Sequence, residues 1–192
     1  AERGPLVRSL LRGELPRDRY VELVAQHRHL YEALEDATRR VAGDEVAGPF
    51  VDPVLDRVPS LEADLVELDG EGWQERHPAL PATVEYARHL DALADDWPAG
   101  IVAHHYVRYL GDLSGGQMIA KVVKKAYGVT ADAGASFYHF ADIEDLDAYK
   151  VRYRGLIDSI GLEGEDRERF TDEVMVAFAS TGAIYNAIDD LE

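Results

Sequence analysis

The segment Tyr106–Met118, YVRYLGDLSGGQM, places three glycines and an aspartate inside a stretch with the apolar spacing of a helix. Each Gly in a helix interior costs about 1 kcal/mol relative to Ala. Gly111 and Gly115 are four residues apart, so they share one face and leave a strip of bare backbone. Such a strip suits either close packing of a second helix or a flat ligand bound beside Asp112. Packing needs only the two glycines four apart, whereas a kinked helix would also use Gly116.

Charged side chains share this helical face. Arg108 and Asp112 are four residues apart and opposite in charge, and His104 stands one turn before Arg108. Such a pair is typical of a solvated helix surface as well as of a binding site. Spacing alone therefore leaves two interpretations open, a packing face with a surface ion pair and a slot for a planar ligand.

Apolar residues recur with helical spacing along nearly the whole chain, and strand-like alternation is almost absent. Pro16 and Pro81 are suitable first-turn residues, and Gly128 is suitable for ending a helix. The pattern predicts helices at about 16–41, 60–68, 81–94, 101–127, 142–160 and 165–188. The sequence therefore predicts an all-α fold, with one domain over residues 1–192 and no internal repeat.

The composition describes an acidic globular chain. Of its 192 residues 46% are hydrophobic. The chain contains no run of 18 apolar residues, the length needed to span a membrane. The formal net charge of −17 argues against a nucleic-acid-binding protein, which needs a basic face. There is no cysteine, which excludes disulfides and thiol catalysis and fits a cytoplasmic location. The Ala-, Asp- and Arg-rich usage indicates a bacterial gene.

Common catalytic and metal-binding motifs are missing from the sequence. It contains neither a phosphate-binding glycine loop nor an HExxH pattern, and no histidine has the paired Glu-x-x-His spacing of a di-iron bundle. His27 and His29 stand two apart on different faces of one helix. We interpret both, like His77, His89 and His139, as surface or hydrogen-bonded histidines. No metal ligand is predicted within the 192 residues.

Five segments of the chain resemble the heme oxygenase family. YVRYLGDLSGGQ is closely similar to the family's distal-helix signature. GELPRDRYVELVAQHRHLYEALE resembles its early helix, and GWQERHPALPATVEYARHL resembles its middle part. YKVRYRGLIDSIGL and VAFASTGAIYNAI resemble its last two helices. The resemblance covers nearly the whole chain in order and implies a single-domain, all-α helical sandwich with a kinked, glycine-rich distal helix.

The resemblance implies an oxidoreductase for which heme is both substrate and cofactor. With O2 and external electrons, heme oxygenases open the ring at one meso carbon and release biliverdin, carbon monoxide and Fe(II). Asp112 matches the family's distal aspartate, which holds water beside the oxygen and delivers a proton. Arg108 and Tyr31 match residues that hold this water network. Gly111 and Gly115 match glycines whose backbone presses on the heme and steers attack to one carbon.

Further matched positions imply contacts with the heme. Lys150 and Arg154 match cations that pair with the heme propionates, and Tyr106 matches another propionate contact. Gly116 extends the glycine face, and Phe178 matches an apolar wall residue. From the residues alone, a solvated helix face for the two cations and core packing for Phe178 stay open.

The chain departs from the family pattern at two places. The family's proximal ligand is a histidine in a His-x-x-Ala-Glu stretch, and Ala1 and Glu2 match the last two residues of it. That histidine would stand three residues before Ala1, outside this sequence, while Glu2 is expected near the heme. Thr181 stands where the family implies an amide side chain, so part of the distal hydrogen-bond network is not expected here.

Electrons are expected from an external redox partner, a ferredoxin or a reductase, because no nucleotide-binding motif is present. Lys121, Lys124 and Lys125 lie on one helical face and form a cationic patch for an acidic partner, or else are scattered solubilising lysines. We expect a monomer that binds neither nucleic acid nor membranes. Two other functions stay open: a heme-sequestering protein without turnover, and a helical scaffold in which the glycines only pack helices.

Overall fold

The structure, a computed structural model, describes residues 4–191, and nine α-helices run through that part of the chain. They are α1 (Pro5–Arg12), α2 (Arg17–Arg40), α3 (Val58–Asp69), α4 (Trp73–Arg76), α5 (Pro81–Asp96), α6 (Pro98–Ser114), α7 (Gly116–Tyr127), α8 (Leu146–Asp158) and α9 (Gly164–Asp189). Short 3-10 turns lie at Gly48–Phe50, Pro53–Leu55 and Ser136–Tyr138. Residues 4–191 contain no β-strand, and none of their helices is long and apolar enough to cross a bilayer. The all-α prediction is confirmed.

Two short helices were not predicted from the sequence. In α1, Pro5 occupies the first helical position, and Gly13 ends the helix with a left-handed φ of 70°. Its two fully buried apolar residues, Leu6 and Leu10, are too few to reveal a helical period by themselves. The other unpredicted helix is α4, a single turn that follows the break at the end of α3.

The long predicted helix is interrupted among its glycines. It begins at Pro98 and divides into α6 and α7 at Gly115. Gly115 keeps helical angles, with φ −75° and ψ −30°, and its N–H still bonds to the carbonyl of Gly111 at 2.7 Å. The interruption therefore lies within nearly continuous helical backbone rather than at an open turn.

Helix α2 lies at the centre of the molecule and contacts α3, α5, α6 and α9. Two of its buried polar side chains cap neighbouring helices that have no side-chain cap of their own. Gln26 Oε1 accepts hydrogen bonds from the N–H of Leu80 at 2.9 Å and from Thr83 Oγ1 at 2.7 Å, at the start of α5. Glu35 Oε1 accepts one from the N–H of Val58 at 3.0 Å, at the start of α3. Helix α2 thus fixes both neighbours through their otherwise unpaired N-terminal N–H groups.

Four helices enclose a space beside α2. Helices α6 and α9 pack on each other and both contact α2, while α1 packs on α7 and α9. The junction of α6 and α7 lies along one side of this space, so the glycine face borders it.

Candidate functional site

A cavity with an empty volume of about 830 Å³, counting its open mouth, lies between α1, α6, α7 and α9. Its walls are mostly apolar, with Leu6, Leu10, Leu23, Ile119, Phe137 and Phe178 among them. The polar side chains His27, Arg108, Asp112 and Tyr185 also reach the cavity. This mixture of apolar wall and few polar groups is typical of a small-molecule site.

The three glycines at the junction of α6 and α7 line the cavity. A Cβ atom placed on Gly111 would meet no atom within 4 Å, and one on Gly115 would touch just the Gly111 carbonyl oxygen at 3.4 Å. The helix-packing interpretation is therefore wrong for these two positions, because no neighbouring helix occupies the space. Gly116 differs, since a Cβ there would lie 3.3 Å from Tyr138 Cδ1. Its small size allows the Tyr138 ring to form part of the wall.

The 3-10 turn that carries Phe137 and Tyr138 is fixed by a buried carboxylate from α3. Asp64 accepts hydrogen bonds from the N–H of Ser136 at 2.8 Å and from the N–H of Phe137 at 2.9 Å. On the other side, Gln117 Nε2 donates to the Tyr138 carbonyl at 2.8 Å. These bonds connect the turn to α3 and α7 and place its two aromatic rings in the cavity wall.

Asp112 lies at the cavity with Tyr31, whose hydroxyl donates a hydrogen bond to Asp112 Oδ2. Burial raises the pKa of Asp112, while the positive charge of Arg108 and the bond from Tyr31 oppose that rise. The surface ion pair of the packing interpretation is not formed: none of the ion pairs among residues 4–191 joins Arg108 to Asp112. Instead the Arg108 guanidinium carbon lies 5.2 Å from the centre of the Tyr31 ring. Arg108 and Asp112 are therefore linked through Tyr31.

His27 and Tyr185 complete this polar group, and sequence reasoning assigned neither to the site. Arg108 approaches His27 Nε2 and the Tyr185 hydroxyl at 3.5 Å each, and the two side chains are 3.3 Å apart. Because a guanidinium only donates, His27 Nε2 is an acceptor and the ring proton belongs on Nδ1. Burial, and then the charge of Arg108, hold the pKa of His27 well below its usual value. His27 Nδ1 and Arg108 Nε have no hydrogen-bond partner within the described chain.

Thr181 lines the cavity but does not take the place of an amide side chain. Its Oγ1 donates to the carbonyl of Ala177 at 2.9 Å, so its hydrogen is used within α9. The side chain that bonds to Arg108 comes from Tyr185, one turn later on the same helix. Four-residue spacing from Thr181 was the sequence signal that could have identified Tyr185.

Other predicted residues lie elsewhere. Phe178 is in the cavity wall and 42% exposed, whereas Tyr106, Lys150 and Arg154 are not among the lining residues. The Lys150 ammonium pairs with Asp147 at 2.7 Å, and Arg154 is exposed on α8. Glu2 falls outside the described residues. The contacts expected of these four polar residues stay predictions.

Comparisons with known proteins all lead to one family. The sequence profile of the family described as Heme oxygenase matches residues 1–187. The chain is 33% identical over 189 residues to the heme oxygenase of Rhodella violacea, covering 98% of this chain and 80% of that protein. Among solved structures it is similar to heme oxygenase-1 of the cyanobacterium Synechocystis in complex with heme, with a TM-score of 0.92, 33% identity and coverage of 97% and 84%. Synechocystis heme oxygenase-2 in complex with heme and NO gives a TM-score of 0.93 at 29% identity, with coverage of 98% and 79%.

Proposed function

Because this chain belongs to the heme oxygenase family and is an oxidoreductase that degrades heme, we propose that its cavity is where heme is bound and opened. The products would be biliverdin, carbon monoxide and Fe(II), with O2 and external electrons as co-substrates. The observation that carries the proposal is the bare backbone of Gly111 and Gly115 facing the cavity beside the Asp112–Tyr31 hydrogen bond.

The cavity's own residues fit a flat, mostly apolar ring. The open space at Gly111 and Gly115 lets such a ring approach backbone where any side chain would intervene. Phe137 and Phe178 offer apolar surface in the same cavity. The unpartnered nitrogens of His27 and Arg108 also lie on buried side chains of this cavity, so polar partners such as water are needed there.

When bound, heme would contribute the iron at which oxygen is activated. In this proposal Asp112 holds and passes a proton in the cavity, and its raised pKa suits that role better than an exposed aspartate would. The Tyr31 hydroxyl orients the Asp112 carboxyl group through its hydrogen bond. Arg108, stacked over the Tyr31 ring, keeps positive charge near this pair without contacting the carboxylate directly.

The two other functions considered from the sequence are less well supported. A scaffold in which glycines pack helices does not explain the open space at Gly111 and Gly115. A protein that only sequesters heme would not need a half-buried carboxyl group hydrogen-bonded inside the cavity, and the relatives are named as oxygenases. Catalysis is therefore the better-supported function.

Reconstitution with heme tests the proposal. The purified chain should show the absorption band of protein-bound heme and, after reduction under O2, release one regioisomer of biliverdin. Asp112→Ala should still bind heme but lose most of the biliverdin yield and divert to peroxidase-like products. Binding without ring opening by the unmodified chain would support sequestration, and an unchanged yield in the variant would remove Asp112 from the mechanism.

Cations of α7 and α8 would suit the acidic groups of a redox partner and of heme. We infer that Lys150, Arg154 and Tyr106 hold the heme propionates, which requires Lys150 to exchange Asp147 for a propionate.

Helix α7 also carries the lysine patch of Lys121, Lys124 and Lys125, which begins two residues after Ile119 in the cavity wall. Its lysines form none of the ion pairs among residues 4–191, so they are available to an acidic electron donor.

Charge reversal tests the docking surface. Lys124→Glu/Lys125→Glu should slow turnover driven by an acidic donor at low salt, leave heme affinity unchanged, and lose its effect at high salt. Arg88→Glu/Arg167→Glu changes the net charge equally on α5 and α9 and is the matched control. Equal turnover of the two double variants at low salt would exclude the lysine patch as the docking surface.

We further propose a single-domain, monomeric, cytoplasmic enzyme, and the family match over residues 1–187 supports the single domain.

A further inference from the structure

Three helices bring two histidines and a glutamate together away from the cavity. His89 on α5 and His104 on α6 both direct Nε2 at Glu173 Oε1 on α9, at 2.5 Å and 2.7 Å. One ligand atom from each side chain lies within 4.8 Å of those from the others. His89 and His104 are 15 residues apart in sequence, and Glu173 follows His104 by 69 residues. No sequence motif therefore indicates the group.

The buried member of the group already has its second nitrogen occupied. His104 is fully buried, and its Nδ1 lies 2.8 Å from the Tyr86 hydroxyl. Metal-ligating histidines usually have such an outer partner, which fixes the ring and the tautomer. Tyr86 therefore already holds the His104 ring in one orientation.

A groove reaches one of these three side chains, His89, from solvent. A groove of about 630 Å³ between α5 and α9 is lined by His89, Glu85 and Ser180. His89 is 37% exposed there, whereas the Glu173 side chain is 11% exposed. The exposed Glu85 and the net charge of −17 favour the entry of a cation.

We propose that His89 Nε2, His104 Nε2 and the Glu173 carboxylate bind a divalent first-row transition-metal ion. Two imidazole nitrogens and one carboxylate are a donor set of catalytic zinc sites and of non-heme Fe(II) sites. Each histidine keeps its net proton count, because the proton moves from Nε2 to Nδ1. On His104 that Nδ1–H then donates to the Tyr86 oxygen. The groove leaves the remaining coordination positions to water.

Titration of the heme-free chain with Zn²⁺ and Co²⁺ alone tests this site, and the outcome does not depend on heme turnover. One ion should bind per chain, and Co²⁺ should develop the visible absorption of a low-coordinate site with nitrogen ligands. His89→Ala should weaken binding at least about tenfold, and Glu173→Gln, which keeps an oxygen acceptor, should do likewise. His139→Ala, which removes an exposed histidine elsewhere, is the control and should bind as the unmodified chain does.

Thermal unfolding gives a second measurement. Zn²⁺ should raise the melting temperature of the unmodified chain and of His139→Ala but not that of His89→Ala. Equal affinities for the unmodified chain and His89→Ala, or a Co²⁺ spectrum identical to that of the hydrated ion, would overturn the proposal. The three side chains would then form a hydrogen-bonded contact between helices and nothing more.

Discussion

Gly111→Ala should stabilise the heme-free protein and weaken heme binding at the same time. Gly111 lies inside α6, and its added methyl group would meet no atom within 4 Å. Replacing Gly by Ala in a helix interior should therefore raise the free energy of unfolding by about 1 kcal/mol. For a domain of this size that corresponds to a rise in melting temperature of about 2–4 °C.

Heme affinity should change in the opposite direction, because the same methyl group would occupy the cavity. Overfilling a packed contact costs roughly 1–3 kcal/mol, which is about a 5- to 150-fold increase in Kd. Heme titration followed by absorbance gives the affinity, and calorimetry of the heme-free protein gives the melting temperature.

Gly182→Ala is the matched control for both measurements. Gly182 lies inside α9, its Cβ would also meet nothing within 4 Å, and it does not line the cavity. It should show the same stabilisation with unchanged heme affinity. A lower melting temperature for heme-free Gly111→Ala would mean that the glycine packs against protein after all. Equal heme affinities for the two variants would mean that heme does not lie on the Gly111 face.

Two other predictions concern buried hydrogen bonds. Burial lowers the pKa of His105, which is bonded to the Tyr153 hydroxyl at 2.7 Å, to about 3. Only the unfolded chain therefore gains a proton there as pH falls from about 6.5, and stability falls by about 1.4 kcal/mol per pH unit from this group. His105→Gln should flatten the decrease in urea-unfolding free energy between pH 6 and about 4, and an unchanged slope would contradict this. Tyr185→Phe removes the hydroxyl shared by His27 and Arg108, so it should cost at most about 1 kcal/mol of stability, because those bonds are long. Single-turnover heme opening should nevertheless slow, and a rate equal to that of the unmodified chain would show that Arg108 needs no support from Tyr185.

Much of the fold and part of the site could be predicted because they depend on residues close in sequence. The 3.6-residue period predicted six helical segments, and the glycine spacing indicated an interruption of the long helix and a bare face at Gly111. Spacing could not decide whether Arg108 and Asp112 form an ion pair. Four-residue spacing makes a pair possible, but Tyr31, from another helix, contacts both side chains instead.

The sequence by itself determined the six longer helical segments, the interruption among the glycines between α6 and α7, and that a carboxyl group accompanies those glycines. Only the tertiary structure decided that the glycine face borders a cavity and that His27 and Tyr185 meet Arg108. It also decided that Gln26 and Glu35 cap the starts of α5 and α3 through the N–H groups of Leu80 and Val58. The physical reason is the distance along the sequence over which each interaction acts. Helix formation depends on neighbours three and four residues apart, whereas a buried polar atom takes its partner from whichever helix packing brings to it.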